Sequence, residues 1–591
     1  MRTKCEINYI FILIFVFSAC FTKVYSQVLS NNATIVVPEN AFLSVTGDLI
    51  NRSSGDLNLN GVIKLKGNWI NYNDGLEVGG EIRFVSNPGQ EINGPETTTF
   101  KDVTIIAGSK VILGECIFGC KYVTITGIFT NENGESGFIL KPGASLLHQS
   151  PEVAASIEQE FIGDEWAWHM LSSPVSAQNI EAGFDDGGFY AWHEPAQTWV
   201  NYSNTIVWPT WGDVNNPVST FNIGKGYMTA YPYNGDRASP QTKTFMGHMN
   251  QGQVSFNLQR LAHPNDAYEG FNLLGNPYPS SIDWKAESGW GGRDNLQTPD
   301  STSNPAGYNM WVWNDVVGNY GAHNSASISD YFHNGVSRYI PPMQAFWVRA
   351  ENHGSSMTMD NNVRLHTNQE WLKSHKETPD VLQLAVNSDV NRYSDEIIIE
   401  FGHQTDRGGA QKMFSMYQEA PGLYSKKYSE NWSINFLTSI SEHPVVPLGF
   451  RAGANAFYTI SSSGTGFFEE VTLEDLHSGI LHDLSQYSSY HFSAEPGDPQ
   501  DRFLLHFMTV GTDIHSLVKA SVYYNNSILH VFNPWNENIS VQLFDASGRF
   551  ISRFNAPSKG LHRFGFKPQP GIYLVRMMGE KKVYTDKIIV L

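Results

Sequence analysis

The sequence predicts an all-β chain: a short N-terminal β-solenoid, then β-rich, sandwich-like domains, then a C-terminal immunoglobulin-like domain. Three observations carry this reading. Only 16% of the residues are charged while 13% are aromatic, with 52 Gly and 28 Pro, a balance that suits many short strands joined by turns. A Gly/Asn motif recurs at twenty-residue spacing near the start. From about Ala520 onward, apolar and polar positions alternate with Gly at the turns. At roughly 100–200 residues per domain the chain holds about three to five domains. Its net charge of −19 and lack of a basic cluster disfavour nucleic acid as a partner.

Residues 1–26 read as a secretory signal. Arg2 and Lys4 supply the positive start, Tyr9 to Ala19 the apolar stretch, and Val24 and Ser26 the β-branched and small residues at positions −3 and −1 of a cut between Ser26 and Gln27. Phe17-Ser18-Ala19-Cys20 offers a second reading in which Cys20 carries lipid, although Phe fits poorly at its position. No later segment reaches the about 18 consecutive apolar residues of a spanning helix, so no transmembrane segment is expected after signal removal. Cys116 and Cys120 are then the remaining thiols, spaced for a small disulfide in an oxidising compartment.

Residues 27–155 read as the solenoid. Val45-x-Gly47-x-Leu49-Ile50-Asn51 recurs as Leu65-x-Gly67-x-Trp69-Ile70-Asn71, and Ile125-x-Gly127-x-Phe129-x-Asn131 falls in the same phase. A coil of this length, with one inward apolar strand and a Gly/Asn corner, buries its face on the next coil. Five or six coils are expected. Solenoid enzymes need carboxylates converging on one face. Asp48, Asp56, Asp74, Glu77, Glu81, Glu91, Glu96 and Asp102 are instead scattered, and none is in phase with another acid one coil away.

Residues 156–365 hold 11 of the 15 Trp and read as a duplicated Trp-rich β domain. Met170-Leu171-Ser172-Ser173-Pro174, Phe189-Tyr190-Ala191-Trp192 and Gly224-Lys225-Gly226-Tyr227-Met228 are echoed by Asn272-Leu273-Leu274-Gly275-Asn276-Pro277, Met310-Trp311-Val312-Trp313 and Met343-Gln344-Ala345-Phe346-Trp347. Tyr190/Trp192 and Trp311/Trp313 each point to one side of a strand, as core aromatics do. Trp208, Trp211 and Trp290 lie in Pro/Gly-rich loops and are the candidates for stacking on a sugar ring.

A linker at 366–379 leads to a β-sandwich at 380–511, with strands over Leu382 to Val386, Glu396 to Phe401, Ser433 to Leu437 and Arg502 to Phe507. Asp389, Asn391 and Asp395 are the one weak calcium pattern, lacking the Gly and distal Glu of an EF-hand, and no other cofactor is indicated. Zinc-hydrolase, serine-elbow and Walker motifs are absent.

Residues 512–591 carry strands at Ile528 to Val531, Ile539 to Phe544, Gly571 to Arg576 and Lys587 to Leu591, the pattern of a small β-sandwich. The "FDASGR" turn, the "PGIYLVRM" strand and the terminal "KIIVL", in this order, resemble the type A C-terminal sorting domain of the type IX secretion system of Bacteroidetes bacteria. Gly548, Arg549, Gly571, Tyr573 and Lys587 are the matching motif residues. Tyr523-Tyr524-Asn525-Asn526 stands where that family often has a Pro-Asn-Pro turn. The stretches "DEIIIEF" and "DRFLLHF" resemble the sandwich that often precedes such a domain. The resemblance implies the type IX machinery as partner, passage to the outer surface or medium, removal of this domain, and release or anchoring to surface lipopolysaccharide. The expected role is non-catalytic, in adhesion or polysaccharide binding, with a secreted carbohydrate-active hydrolase and a purely structural surface-layer component as the alternatives.

Overall fold

The computed structural model describes residues 28–86, 89–114, 122–161, 166–180, 183–184, 188–201, 220–231, 241–262, 268–298, 306–329, 331–367, 380–509 and 521–590, less 526–527, 534, 536, 558–559 and 581–582. It is all-β, and its described helical segments are three-residue 3-10 turns. The chain forms two compact units. One runs to His506, apart from 439–444 and 468–470; the other is built chiefly from 507–591.

The solenoid forms as the repeat predicts. Val28–Asn31 pairs in parallel with Asp48–Asn51, and that strand with Trp69–Asn71. These strands open an eight-stranded sheet facing a seven-stranded one. Burial alternates along Leu76–Phe84, so Leu76, Val78, Ile82 and Phe84 point into the core between the sheets. The repeated Gly has a steric cause: a Cβ on Gly67 would sit 2.2 Å from the Gly47 carbonyl carbon of the previous coil. The repeated Asn has a polar one. Asn31 Nδ2 donates to Asn51 Oδ1 at 2.8 Å, Asn51 Nδ2 to Gly55 O at 3.0 Å, and Asn71 Nδ2 to Thr97 O at 3.1 Å. Buried side-chain amides thus satisfy the carbonyls that each corner turns inward.

Two expectations are revised here. The strict twenty-residue period does not persist: Val111 pairs with Phe138, twenty-seven residues on, and Phe129–Asn131 joins the second sheet rather than the Asn51/Asn71 ladder. Asn131 nonetheless closes its corner the same way, donating to Gly134 and Ala154 carbonyls. The boundary at 155 falls inside the strand Ala154–Phe161. This strand pairs antiparallel along its whole length with Gln241–His248 from the Trp-rich region, which ends the coil.

The duplication is visible as identical topology. His169–Leu171, Gly188–His193, Thr198–Asn201 and Tyr227–Ala230 form a four-stranded antiparallel sheet in the spatial order first, fourth, second, third. Phe271–Gly275, Asn309–Asn314, Asn319–Asn324 and Ala345–Arg349 form another in the same order. The two lobes join by reciprocal contacts. Ser172 N donates to Met343 O at 2.7 Å, and its counterpart Gly275 N to Gly224 O at 2.8 Å, while Leu171 bridges Gln344 and Leu274 bridges Lys225. The junction therefore has a local two-fold. It is tight: a Cβ on Gly275 would lie 2.1 Å from the Ser172 Cβ.

In the following sandwich Val381–Ser388 lies between Ser394–Glu400 and Ala456–Ser463, and Ser394–Glu400 runs parallel to Glu430–Phe436. In the second unit, Ser521–Asn525, Ile528–Asn533 and Gly560–Gly565 form one sheet; Phe550–Ala556, Ile539–Asp545, Gly571–Met578 and Val583–Val590 form the other. Leu529, Val531, Val541, Leu543, Val575 and Met577 fill its core. This is the immunoglobulin-like sandwich that the alternation predicts.

Two expected outcomes follow from this packing. Gly275→Ala forces carbon onto Ser172 and should cost roughly 1–3 kcal/mol, whereas Gly466→Ala, with nothing within 4 Å of its Cβ, should unfold like the parent in urea. The second concerns acid. Burial holds His148 and His323 down to about 3 and His333 down to about 4. His333 is fixed neutral, because its Nδ1 accepts the Ala322 N–H while Nε2 donates to Glu396 O. These histidines stay unprotonated in the fold while the unfolded chain takes up protons near pH 6.5, so their contribution is complete above that pH and is lost as pH falls toward 4. Glu396, pushed up to about 7 by burial, acts oppositely between its unfolded value and 7. His169 and His366 are also held down to about 4 by burial; with five histidines against one glutamate, the melting temperature should fall from pH 7 to pH 5 in a thermal-unfolding series, and His333→Gln should flatten that slope.

Candidate functional site

Alternation along the lobe strands gives each sheet two faces. In the first lobe Leu171, Phe189, Ala191 and Tyr227 join the solenoid core, which turns Tyr190 and Trp192 to the other side. In the second lobe Met310, Val312, Phe346 and Val348 pack in a core of their own, and Trp311, Trp313 and Trp347 face the same side as Trp192. The pairs Tyr190/Trp192 and Trp311/Trp313 thus point as predicted.

The two halves of this shared aromatic face differ. Over the second lobe it is covered by the sandwich: Trp311 Nε1 donates to Gln411 O at 2.9 Å, Trp313 meets Tyr417 edge-on at 5.2 Å, and Ile434 and Phe436 complete the layer. Trp311, Trp313 and Trp347 are buried. Over the first lobe, Trp168, Tyr190, Trp192 and Trp199 are half-buried, and Tyr268 is 53% exposed.

Local structure fixes this strip. Trp192 and Trp199 are cross-strand partners, their rings 5.5 Å apart and edge to face. The turn between their strands, Glu194–Ala196, ends on Gln197 in the left-handed region at φ 47°. Glu194 anchors it, since its buried carboxylate accepts the N–H groups of Gly270 at 2.8 Å and Leu261 at 3.2 Å. Trp192 Nε1 donates to Phe271 O at 2.7 Å, which locks the indole. Tyr268 meets Trp192 at 6.3 Å, and Trp168 meets Tyr190 at 5.5 Å. A row of ring faces and edges on rigid strands suits a flat, weakly polar ligand surface. Arg260, paired with Glu269 at 2.9 Å, and Arg349, at the end of the strand Ala345–Arg349 and donating to Glu269 O, both hold the residue that follows Tyr268.

Sequence reasoning singled out loop tryptophans and passed over this strip. Trp290 is half-buried, stacks edge-on against Trp284 at 5.1 Å, lies under Arg293 and donates to Asp283 O, so it is knitted into the second lobe's core rather than free to stack. Trp208 and Trp211 lie outside the described residues, in the segment that follows Asn201. So do Ser26, Gln27, Cys116 and Cys120. The cross-strand pairing of Trp192 with Trp199, seven residues apart over a Pro195 turn, was the available signal.

The calcium pattern is corrected. Asp389 Oδ1 accepts the Phe457 N–H, and Asn391 Oδ1 accepts from Ser388 Oγ and Tyr393 N. The Asp395 carboxylate is buried and turned inward, accepting from Lys412 Nζ, Asn334 Nδ2 and Leu423 N. Protein donors occupy these oxygens, and spacing along the chain did not reveal that they face different ways. Among the described residues no three His, Cys, Asp or Glu gather as a metal site.

The solenoid acids also need one revision. Asp102 and Glu81 are register partners on adjacent coils, a pairing the shifting period concealed. Both are engaged: Glu81 takes a two-pronged bond from Arg83, which holds its carboxyl below the usual range, and Asp102 accepts the Ile128 N–H at 2.7 Å. A shallow concavity of about 280 Å³ lies elsewhere, lined by Ile223, Asn250, Gln251, Gln253, Val254 and Ser255, without an acid among them.

In the C-terminal unit, the motif residues take structural roles. Asp545 accepts from Ser547 Oγ and Arg549 Nε around Gly548, which turns at φ 81°. Tyr573, two residues into the strand begun by Gly571, donates its hydroxyl back to Gln569 O at 2.7 Å. Lys587 is exposed opposite Leu574.

Comparison with known proteins adds a relative and a family. The minor fimbrium subunit Mfa5 of Porphyromonas gingivalis is 24% identical over 432 residues, covering 65% of this chain and 33% of that protein, so the chain spans a third of that relative's length. Among solved structures, a biofilm-associated protein BSP domain aligns with 74% of this chain and 92% of its own at 9% identity, with a TM-score of 0.15, below that of a shared fold. A family model described as a domain of unknown function (DUF8693) matches residues 121–507, from the last coils of the solenoid through both lobes to the end of the sandwich, and the chain belongs to that family.

Proposed function

We propose that this is a cell-surface, adhesin-type scaffold, exported by type IX secretion, whose first-lobe aromatic strip holds a polysaccharide. The observation that carries the reading is the unequal treatment of two equivalent faces: the sandwich covers Trp311 and Trp313, while Tyr190, Trp192, Trp199 and Tyr268 keep part of their surface in solvent. The apolar face of a pyranose stacks on such rings as a base does, for about 1–3 kcal/mol per ring. A fimbrium subunit among the relatives supports a surface role of the adhesive kind. Near the strip, the carboxylates of Glu194 and Glu269 are held by backbone N–H groups and by Arg260, which favours binding over hydrolysis.

Export rests on the leader-like start and the three C-terminal motifs. The turn at Asp545–Arg549 and the exposed Lys587 are surfaces a sorting machinery can read. Release, or anchoring to surface lipopolysaccharide, follows export on this reading.

In pull-downs on insoluble and immobilised polysaccharides, Tyr268→Ala and Trp199→Ala should each lower the affinity about tenfold, in line with roughly 1–3 kcal/mol per stacked ring. Phe457→Ala, on the sandwich and more exposed than either, should bind like the parent. Unchanged binding in both strip variants would end the glycan reading, and reducing-sugar release in the same tubes would replace it with hydrolysis. Deleting residues 521–591 should leave the chain in the periplasm on cell fractionation. Arrival of the truncated chain at the surface would rule out a sorting role for this domain.

A further inference from the structure

Lys412 and Asp395 are placed more closely than an ion pair requires. Lys412 Nζ lies 2.5 Å from Asp395 Oδ1 and 2.5 Å from Oδ2, and neither side chain has any solvent exposure. Charge-assisted N–H to O distances are usually about 2.7–2.9 Å. A nitrogen equally close to both oxygens sits about 3 Å from the carboxyl carbon between them, inside the near-attack range.

The surroundings favour a reaction at that carbon. Asn334 Nδ2 donates to Asp395 Oδ1 at 2.8 Å and Leu423 N to Oδ2 at 2.6 Å, two fixed donors aimed at the oxygens on which charge develops when a nucleophile adds. Asn334 is itself held, buried in the left-handed region at φ 48°, with Nδ2 also on Tyr320 O. Its backbone N–H donates to Glu396 Oε2 at 2.6 Å, so one residue orients both carboxyl groups. His333, adjacent to Asn334, is neutral and engaged on both nitrogens. Arg451 is the other charge acting on Lys412.

We propose that Lys412 Nζ and Asp395 Cγ condense into an intramolecular amide, with Glu396 as the proton carrier. Once the ammonium has passed one proton to an Asp395 oxygen that it touches, the Nζ lone pair adds to Cγ. Glu396 gives its proton to the departing oxygen and regains one from nitrogen; the C–O bond breaks, the C–N bond remains, and one water leaves. An amine and a carboxylic acid become an amide and water, so neither oxidant nor activating co-reactant is needed. Burial disfavours the Lys412 ammonium, and it keeps Glu396 protonated up to about pH 7. Exclusion of water from the site protects the product from hydrolysis.

The bond would staple two elements that flank one strand. Ser394–Glu400 runs parallel to Glu430–Phe436 on one side, and Gly409–Gln411, just before Lys412, runs antiparallel to that strand on its other side, both at Ile434 and Asn435. This inference is independent of the glycan reading.

The test is peptide mapping of the purified full chain by mass spectrometry after denaturation and proteolysis, which does not depend on where a leader is cut. The expected result is a branched peptide joining the segments around Asp395 and Lys412, lighter by one water than the two together, and no free Lys412 peptide. Asp395→Asn, if it reacts, should give the same branched mass by losing ammonia instead. Glu396→Gln should leave the two peptides separate in a chain that still melts cooperatively, and a branched peptide in that variant would remove Glu396 from the mechanism. Two separate peptides from the parent chain would overturn the proposal and leave a buried ion pair.

Discussion

A parallel coil ends in a row of unpaired N–H and C=O groups, and everything downstream of the solenoid depends on how that edge is closed. Ala154–Phe161 is the last coil strand, and Gln241–His248 lies along all of it, from Ala154 opposite His248 to Phe161 opposite Gln241. An open edge of that length would invite pairing with another chain. Because the closing strand comes from the first lobe, the coil core and the lobe core are one: Leu171, Phe189 and Tyr227 pack with Phe138 and Ile157. Arg364 strengthens the join from the second lobe. It is buried beside Tyr278 and donates to the carbonyls of Leu146 and His148 in the coil.

The duplicated lobes show how one fold diverges by what covers it. Strand order, the Pro turns and the reciprocal contacts of Ser172 and Gly275 are shared. The left-handed position is shared too, filled by Gly224 at φ 77° in one copy and by Met343 at φ 61° in the other. Met343 keeps this less favourable backbone while its side chain packs into the coil core. The difference lies outside the repeat, in the sandwich that seals Trp311 and Trp313 and leaves Tyr190 and Trp192 half-covered. Burial rather than residue type separates scaffold aromatics from a candidate ligand face.

Much of this was legible along the chain, for a physical reason. A solenoid and a tandem lobe write their geometry as spacing, so Gly67, Asn71 and the echoed Pro174 and Pro277 could be read directly. The C-terminal sandwich followed from alternation. What stayed hidden depends on contacts between distant residues. The closing role of Gln241–His248, the lateral pairing of Glu81 with Asp102, and the inward turn of Asp395 toward Lys412 leave no periodic trace. Asp389, Asn391 and Asp395 look like a ligand set only until strand direction sends their oxygens to separate partners. Likewise Trp290 reads as a loop residue, yet its indole finishes a core.

The closing strand has a kinetic consequence. Phe161 waits for Gln241, eighty residues later, and between them the chain must fold a four-stranded sheet with its fourth strand inserted between the first two. Such distant pairings make for slow, high-contact-order assembly. Until it is complete, the coil presents a raw β edge able to template aggregation. A chain built this way gains from remaining unfolded or chaperoned until the whole segment to His248 is available, which places a demand on the timing of its delivery as well as its destination.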